Sequence, residues 1–561
     1  MKKIPYGLSD FKRIKDENFY FIDKTKFILD IEKANNYLMF LRPRRFGKSL
    51  FIAILEAYYD TGFKDEFNSI FRDTYILNHK TKEASSYAIL RFDFSIVDPN
   101  DVENSFVNHL LFKLNLFIDK YNISASKNNN PNVLLDNIFN YVLQHNIKLY
   151  ILIDEYDNFS NKILLDNQDN YNKIISNKDS MFKQFFTTLK GGTSGNNAPI
   201  KRMFITGVTP MTSYDVTSGF NIGSNISLNK NFNCMIGVTQ VEIEDVFKHY
   251  NIPTKYLELC KEWYNNYSFS PNAKEKIYNT DMILYFIDKY LVDDEPPREL
   301  IDINVRSDYS TLRSIIYTNK KLNGNFESLK KLIVGDSIHT DSLSQDFSAL
   351  NISKEENFKS LLFYLGLVTI CDSGLRLTLK IPNETIKRID IDFLKDSLEM
   401  ESIFNPKITN ISDYIAEFAI KGDIEVFKYL ASEIKEATSL RDYIQNELSI
   451  KSMYLAYLSL TPYFVVKSEL ELNKGFADIF IKPLNSHVKY IGLIELKYIK
   501  REDKNYKKQI PELIKKATIQ LEQYEKDELV ATYKKDGLKL QKVILIFWGW
   551  ELVECIKLDY K

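Results

Sequence analysis

The sequence predicts an α/β protein with a parallel, helix-covered sheet in its first half and a separate α/β region at its C-terminal end. Three observations carry this expectation. From Tyr37 to about Gly207, short continuous apolar runs alternate with helical patterns, as in a parallel sheet buried on both faces. The first of these runs opens through Gly47-Lys48-Ser49 directly into an apolar helix, and a second pair of strand patterns near the C terminus carries two carboxylates and a lysine among apolar neighbours. At 561 residues the chain is long for one core, and roughly 150 residues per domain suggests three or four domains. With 44% hydrophobic residues and only 15 Pro and 19 Gly, wholesale disorder is excluded. A formal charge of −1 excludes a uniformly basic coat for nucleic acid and a uniformly acidic tail, and leaves local segregation of charge open.

The start, Met1 to Gly7, has no apolar core of a signal peptide, and the longest apolar run, Leu361 to Cys371, is too short to span a bilayer. A soluble, cytoplasmic protein without membrane attachment is expected. Cys234, Cys260, Cys371 and Cys555 form no C-x-x-C pair, and the six histidines form no cluster. Any metal is therefore expected on carboxylates, which favours Mg²⁺.

Tyr37–Leu41, Ala88–Phe94, Leu149–Ile153 and Met203–Thr206 read as the strands of the first sheet, with Ser126–Asn132 and Lys190–Pro199 as loops. Beyond about Glu242 the pattern is helical, with Asp245–His249, Lys255–Tyr267 and Asp281–Leu291 as candidates for a helical lid. An amphipathic helix over Glu355–Gly366 precedes two strand patterns, Leu367–Ile370 and Leu375–Ile381, the outline of a winged-helix-like connector. Helices to about Tyr457 open the last region. Strands Tyr463–Val466, Phe476–Ile481 and Tyr490–Tyr498, helix Glu512–Asp527 and a final strand Lys542–Trp548 complete it. The expected domains are 1–250, 251–330, 331–400 and 401–561.

The Arg42–Ser49 segment stands between a strand and a helix, the setting of a phosphate-binding loop. Backbone N–H groups and a helix N-terminus cradle phosphates, Lys48 reaches the outer oxygens, and the Ser49 hydroxyl takes a Mg²⁺ position. Arg42 stands where that motif has its first Gly. A second piece follows about a hundred residues on, where the apolar strand Tyr150–Ile153 ends in Asp154 and Glu155. There Asp154 would hold Mg²⁺ and Glu155 would orient an attacking water. The strand ending in Thr206 offers a hydroxyl to sense the terminal phosphate. Each piece alone is also what a buried strand with a polar end looks like.

These residues resemble the bacterial and archaeal AAA-ATPase-like family, whose phosphate loop commonly reads R-P-R-R-F-G-K-S, as here. Ile4-Pro5-Tyr6-Gly7, Tyr20-Phe21-Ile22-Asp23-Lys24-Thr25, Leu152 to Asp157 and Trp263-Tyr264-Asn265-Asn266-Tyr267 also look like motifs of that family. The resemblance extends to about residue 280 and implies ATP bound by Arg44, Arg45, Phe46, Gly47, Lys48, Ser49, Leu50, Asp154 and Thr206. Without it, the Trp263 group reads as an aromatic core patch.

On a strand of period two, Glu495 and Lys497 point to one side, and a hairpin partner can bring Asp478 beside them. Such a triad can chelate Mg²⁺ through Asp478 and Glu495 while Lys497 orients or helps deprotonate a water. An exposed E-x-K salt bridge has the same spacing, but Ile491, Leu493, Ile494 and Leu496 argue for a buried strand. The arrangement resembles the PD-(D/E)XK nuclease superfamily, which implies a restriction-endonuclease-like domain over about 401–561. The resemblance further implies a helical Glu, best matched by Glu447, and a Gln/Tyr pair, matched by Gln520 and Tyr524 at i, i+4. That pair also fits a solvated helix face. From Lys489 to Lys516, nine basic residues stand against four acidic ones, a stretch suited to a phosphate backbone or to an ordinary Lys-rich loop. The joint expectation is an ATPase coupled to a Mg²⁺-dependent nuclease acting on nucleic acid, DNA above RNA, with nucleotide state gating cleavage. A homo-oligomer is compatible with it. The rival expectation is a signalling or scaffold ATPase whose C-terminal domain binds nucleic acid or a partner without cutting.

Overall fold

A computed structural model describes residues 2–558 apart from 99, 167–174, 176, 178–179, 196, 212–222, 308–324, 401–403, 405, 438–443 and 445. The chain divides into two compact units, residues 1–323 with 339–385, and residues 324–338 with 386–561. The expected boundary near residue 401 falls outside the described residues, and so does part of the expected lid. Among the described residues no helix is long and apolar enough to cross a membrane.

The first unit is built on a five-stranded sheet in the order β2-β3-β4-β1-β5. Its strands are β1 (Tyr37–Leu41), β2 (Ala88–Asp93), β3 (Leu149–Asp154), β4 (Ile200–Gly207) and β5 (Ser224–Asn225). Every pairing is parallel. β3 is buried along its whole length, as its unbroken apolar run requires of a strand covered on both faces. Register carries Leu41 level with Gly207 and Ile153 level with Ile205, so the carboxyl ends of β1, β4 and β3 lie side by side. That edge is where a parallel sheet forms its ligand crevice.

Helices α1 (Phe11–Asp16), α2 (Phe27–Lys33), α3 (Lys48–Tyr59), α4 (Phe67–Ile70), α5 (Val102–Lys120), α6 (Pro131–Gln144), α7 (Asn158–Asp166) and α8 (Met181–Gly192) accompany this sheet. Two expected loops are shorter than read. Asn130 accepts from the amides of Asn132 and Val133 as an N-cap, and Pro131 opens α6, where its missing N–H costs nothing. Lys190, Gly191 and Gly192 close α8 instead of opening a loop. Gly192 fits there because a Cβ would come within 2.7 Å of Phe139 and Ile200, so packing overrides poor helix propensity.

The helical pattern expected beyond Glu242 corresponds to α9 (Gln240–Tyr250), α10 (Tyr256–Tyr264) and α11 (Thr280–Asp293). α9 starts on a capping box between Thr239 and Glu242. α10 ends at Tyr264, three residues before the expected end, because the chain turns extended at Asn265. α12 (Asn325–Ile333) and β6 (Ile338–Thr340) then lead to α13 (Glu355–Tyr364), β7 (Thr369–Ser373) and β8 (Leu377–Lys380). The expected helix and hairpin are present, and β6 adds a third strand in the order β6-β8-β7.

The second unit has its own sheet, ordered β13-β12-β11-β10-β9. Its strands are β9 (Phe464–Leu472), β10 (Gly475–Pro483), β11 (Tyr490–Ile499), β12 (Lys539–Trp548) and β13 (Glu551–Leu558). β11 and β12 are parallel and the remaining pairs antiparallel. Beyond the expected final strand, β13 returns antiparallel to β12 after a turn at Gly549. Helices α14 (Glu384–Met400), α15 (Ile408–Lys421), α16 (Glu425–Glu436) and α17 (Glu447–Leu458) precede the sheet, and α18 (Tyr506–Tyr524) and α19 (Glu528–Lys535) lie between β11 and β12. α18 starts six residues before the expected Glu512 and carries Pro511 inside it. Two cores result. Ile494 and Leu496 join Phe418, Phe427 and Tyr454 on one face, while Ile491, Leu493 and Ile499 join Ala517 and Leu521 on the other. Glu495 and Lys497 share the parity of the second set and so face α18.

Candidate functional sites

At the first site, Gly47 caps α3 with φ 103°. No atom lies near a Cβ built there, so conformation and not space demands glycine. Lys48 is buried, and its amine donates to the carbonyls of Arg42 (3.1 Å) and Pro43 (3.0 Å). Burial lowers its pKa, against the attraction of Glu155, Asp154 and Asp157. Ser49 and Leu50 follow in the first turn of α3, where the backbone amides point out of the helix end.

Asp154 is 1% exposed and accepts from the Thr206 hydroxyl (2.7 Å) and the Glu155 amide (3.0 Å). Thr206 belongs to β4, the strand between β1 and β3, so its hydroxyl stands between phosphate loop and carboxylate. Glu155 has φ 49° and is held by the Asn158 side chain. Burial raises its pKa, with Lys48 and Arg44 opposing. Asp157, quoted in the sequence motif but given no role, is an anchor. It accepts from the amides of Val208 (3.0 Å) and Thr209 (2.7 Å) and from the side chains of Thr209 (2.9 Å) and Asn161 (2.9 Å). These bonds tie the segment after β3 to the end of β4.

The arginines divide their work in a way the sequence does not display. Arg42 does not face a phosphate. It is 1% exposed, with its guanidinium 4.3 Å from the Phe40 ring centroid and 4.4 Å from that of Phe269. It donates to the carbonyls of Leu41 (2.9 Å), Ser227 (2.7 Å) and Phe232 (3.1 Å). Burial pushes its pKa down to about 9, which leaves it cationic at neutral pH. Arg45 pairs with Asp281 of α11 at 3.0 Å. Phe46 turns its ring inward, edge-on to Tyr267 (4.9 Å) and Phe269 (5.3 Å), and its carbonyl accepts from Gly237 N (3.1 Å) and Thr280 Oγ1 (2.9 Å). The Trp263–Tyr267 motif is thus an aromatic core patch that backs the phosphate loop.

Beside Gly47 and Leu50 lies a small cleft lined mainly by apolar groups, including Pro5, Phe21, Ile22, Ile236 and Leu284. The early motifs around Pro5 and Tyr20–Lys24 furnish part of its wall. Lys24 at its margin is paired with Glu242 at 2.6 Å.

At the second site, ladder pairing between β10 and β11 stops at Ile479↔Ile494. Just beyond it, the Asp478 side chain replaces the missing backbone partner, accepting from Leu496 N at 2.9 Å through Oδ2. This is why Asp478 is fixed beside Glu495 and Lys497. Lys497 Nζ lies 2.6 Å from Glu495 Oε2 and 3.5 Å from Asp478 Oδ2. The triad is not a surface salt bridge, since the Glu495 side chain is 1% and the Lys497 side chain 19% exposed. Glu495 Oε1 is buried without a hydrogen-bond partner, an arrangement that disfavours the ionised form. Burial, reinforced by the neighbouring Asp478, pushes the Glu495 carboxyl up to about 8. At Asp478 burial also acts upward, but Lys451, Lys497 and the Leu496 amide outweigh it and its pKa is lowered.

Glu447 opens α17, half-buried, after its N-cap Asn446, and is near enough that Asp478 helps burial raise its pKa. Tyr524 is buried, donates to Phe476 O at 2.9 Å and receives Gln520 Nε2 at 3.4 Å. The pair is therefore packed at the edge of the site and is not a solvated face. Lys451 and Glu469 were missed. Lys451 Nζ lies 2.8 Å from Asp478 Oδ1 and also pairs with Glu469. The available signal was its i+4 spacing from Glu447 on one helix face. Among the described residues, no three His, Cys, Asp or Glu converge closely enough to hold a metal by themselves. Asp478 and the unpartnered oxygen of Glu495 are nonetheless hard oxygen donors suited to Mg²⁺.

Two family models match the chain. Residues 5–217 match the family described as "Predicted AAA-ATPase", and residues 445–556 match the PD-(D/E)XK nuclease superfamily. The chain carries an AAA-ATPase-like domain followed by a PD-(D/E)XK nuclease superfamily domain. An uncharacterized protein in the vnfD 5' region of Azotobacter chroococcum mcd 1 is 23% identical over 400 residues, spanning 69% of this chain and 68% of its own length. Two solved structures also align. The Aeropyrum pernix ORC2 protein covers 68% of this chain and 98% of its own at TM-score 0.27 and 9% identity. Cdc6p from Pyrobaculum aerophilum covers 67% of this chain and 92% of its own at TM-score 0.19 and 10% identity. Likenesses this low add nothing to the fold already described.

Proposed function

We propose that this protein binds and hydrolyses ATP at the Lys48 loop and cleaves phosphodiester bonds of nucleic acid, DNA above RNA, at the Asp478–Glu495–Lys497 site, with nucleotide state gating cleavage. The single observation that carries the nuclease half is the convergence of two buried carboxylates and a lysine on one spot, with one carboxylate oxygen left unpartnered. In the ATPase half, Lys48 exchanges two loop carbonyls for phosphate oxygens, and the amides of Ser49 and Leu50 receive the phosphate at the start of α3. The apolar cleft beside Gly47 takes the base. Glu155, strained and held by Asn158, directs the attacking water, while Thr206 reads the terminal phosphate through the atom that now contacts Asp154. Ser49 and Asp154 would hold the Mg²⁺ that accompanies the nucleotide.

In the nuclease half, Asp478 and Glu495 would hold a divalent cation, which supplies charge neutralisation at the scissile phosphate and a more acidic bound water. Lys497 keeps an ammonium within reach of both carboxylates and offsets the charge of the pentavalent phosphorus. Glu447 lines the same acidic wall, and Tyr524 with Gln520 braces β10 at Phe476. The test is cleavage of single- and double-stranded DNA and RNA with Mg²⁺, with and without ATP, by the wild type, Lys48→Ala and Lys497→Ala. Metal-dependent loss of substrate that Lys497→Ala abolishes and Lys48→Ala uncouples from ATP supports the reading. Tight nucleic-acid binding with every substrate left intact would favour the scaffold rival.

A further inference from the structure

Lys451 has no assigned part in the chemistry above, yet it is among the most enclosed ammonium groups of the C-terminal unit. Its side chain is 6% exposed and lies between two carboxylates, Asp478 Oδ1 at 2.8 Å and Glu469. Two carboxylates that share one ammonium within contact distance stand where a divalent cation would otherwise bridge them. A buried charge of this kind persists only when paired or metal-bound. The second observation is the opposite wall, where Glu495 Oε1 is buried and lacks a partner. Oδ1 of Asp478 is thus already neutralised by Lys451, while Oδ2 accepts from Leu496 N and lies 3.5 Å from Lys497, on the side of the Glu495 carboxyl whose Oε1 has no donor.

Building on the metal-site reading above, we infer that Lys451 is an internal cation in the place of a second metal ion, so that this site takes a single divalent cation between Asp478 and Glu495. Charge supports the stoichiometry. Glu447, Glu469, Asp478 and Glu495 supply four formal negative charges, and Lys451 with Lys497 supplies two positive ones, leaving an excess that one divalent ion neutralises. Removing Lys451 adds a further negative charge and leaves Glu469 facing Asp478 with nothing between them, a pair of oxygen donors that recruits a cation.

The inference is tested by counting bound Mn²⁺ on the nucleotide-free full-length chain, by the loss of the free-ion EPR signal and by calorimetry. The C-terminal site is the share of binding that disappears in Asp478→Asn, the residue common to both cation positions. One Mn²⁺ per chain there is expected for the wild type and for Lys451→Arg, and two for Lys451→Met. Adding Glu469→Gln to Lys451→Met should return the count to one. Two ions in the wild type, or one in Lys451→Met, overturns the inference, and the wild-type count decides even if Lys451→Met does not fold. One Mn²⁺ without any cleavage sinks the nuclease reading and leaves this inference standing, whereas no Mn²⁺ sensitive to Asp478→Asn overturns both.

Discussion

Replacing Glu495 by Gln removes a buried carboxyl that only a proton or a cation can relieve. Folding raises its pKa from the ordinary 4.5 to about 8, and Asp478 and Glu495 titrate as one system in which the last proton leaves late. The sign follows directly. Below about pH 4.5 the carboxyl is protonated whether folded or unfolded and has no effect on stability. As pH rises towards 8 the unfolded chain releases the proton while the folded chain keeps it, so stability falls until both forms are ionised. At about 1.4 kcal/mol per pKa unit, the shift amounts to roughly 5 kcal/mol, and relaxation of Lys497 around the charge brings the expected loss nearer ~2 kcal/mol. Glu495→Gln escapes it. In metal-free buffer at pH 8.5 the variant's C-terminal unit should therefore melt about 5 °C above the wild type, with the gap closing near pH 5. Mg²⁺ or Mn²⁺ should then raise the wild-type melting temperature at pH 8.5 and leave the variant unmoved. Calorimetric melts across pH, with chelator and with metal, make the measurement. A gap that is independent of pH, or a variant that responds to metal like the wild type, would refute the reasoning.

Three further outcomes are expected. Lys48→Ala should weaken nucleotide binding by about 100-fold in a fluorescent-nucleotide titration while the melting profile stays close to wild type, because the amine bonds only loop carbonyls. Glu155→Gln should retain nucleotide binding but lower steady-state ATP turnover by at least ~100-fold, trapping bound ATP; unchanged turnover would remove Glu155 from the chemistry. Gly207→Ala should destabilise the first unit by about 3 kcal/mol in denaturant melts, since its Cβ would meet the Tyr156 ring at 2.4 Å and Asp157 Oδ1 at 2.5 Å.

What was legible beforehand was whatever local pattern dictates. β1 and β3 are apolar throughout because both faces are covered, and Gly47-Lys48-Ser49 needs only a strand before it and a helix after it. The alternation around Glu495 placed Lys497 on the same side, and β10 supplied Asp478. What stayed hidden depends on partners far along the chain. Arg42 looks like one more phosphate ligand until Ser227, Phe232 and Phe269 close around it. Lys451 sits one turn from Glu447, yet nothing local reveals that β9 and β10 bring Glu469 and Asp478 to it. Glycine misled at Gly192, where packing outweighed propensity, and the exposed Pro511 lies inside α18 although proline ordinarily marks a helix start or break. β13 went unread because its side chains are only partly buried along an edge, which blurs the apolar signal.

The seating of Arg42 bears on where the ATPase module ends. Its three carbonyl acceptors and one of its two aromatic faces include residues 227, 232 and 269, and Phe46 leans on Tyr267, Phe269 and Thr280, all beyond the matched residues 5–217. A chain cut at 217 would keep every residue of the phosphate-binding motif and lose the mould in which that motif sets. Tyr264 in turn reaches the carbonyl of Leu300 at 2.8 Å. The first compact unit likewise runs past residue 300, and a fragment that stops earlier is expected to keep the motif and lose nucleotide binding in a fluorescent-nucleotide titration.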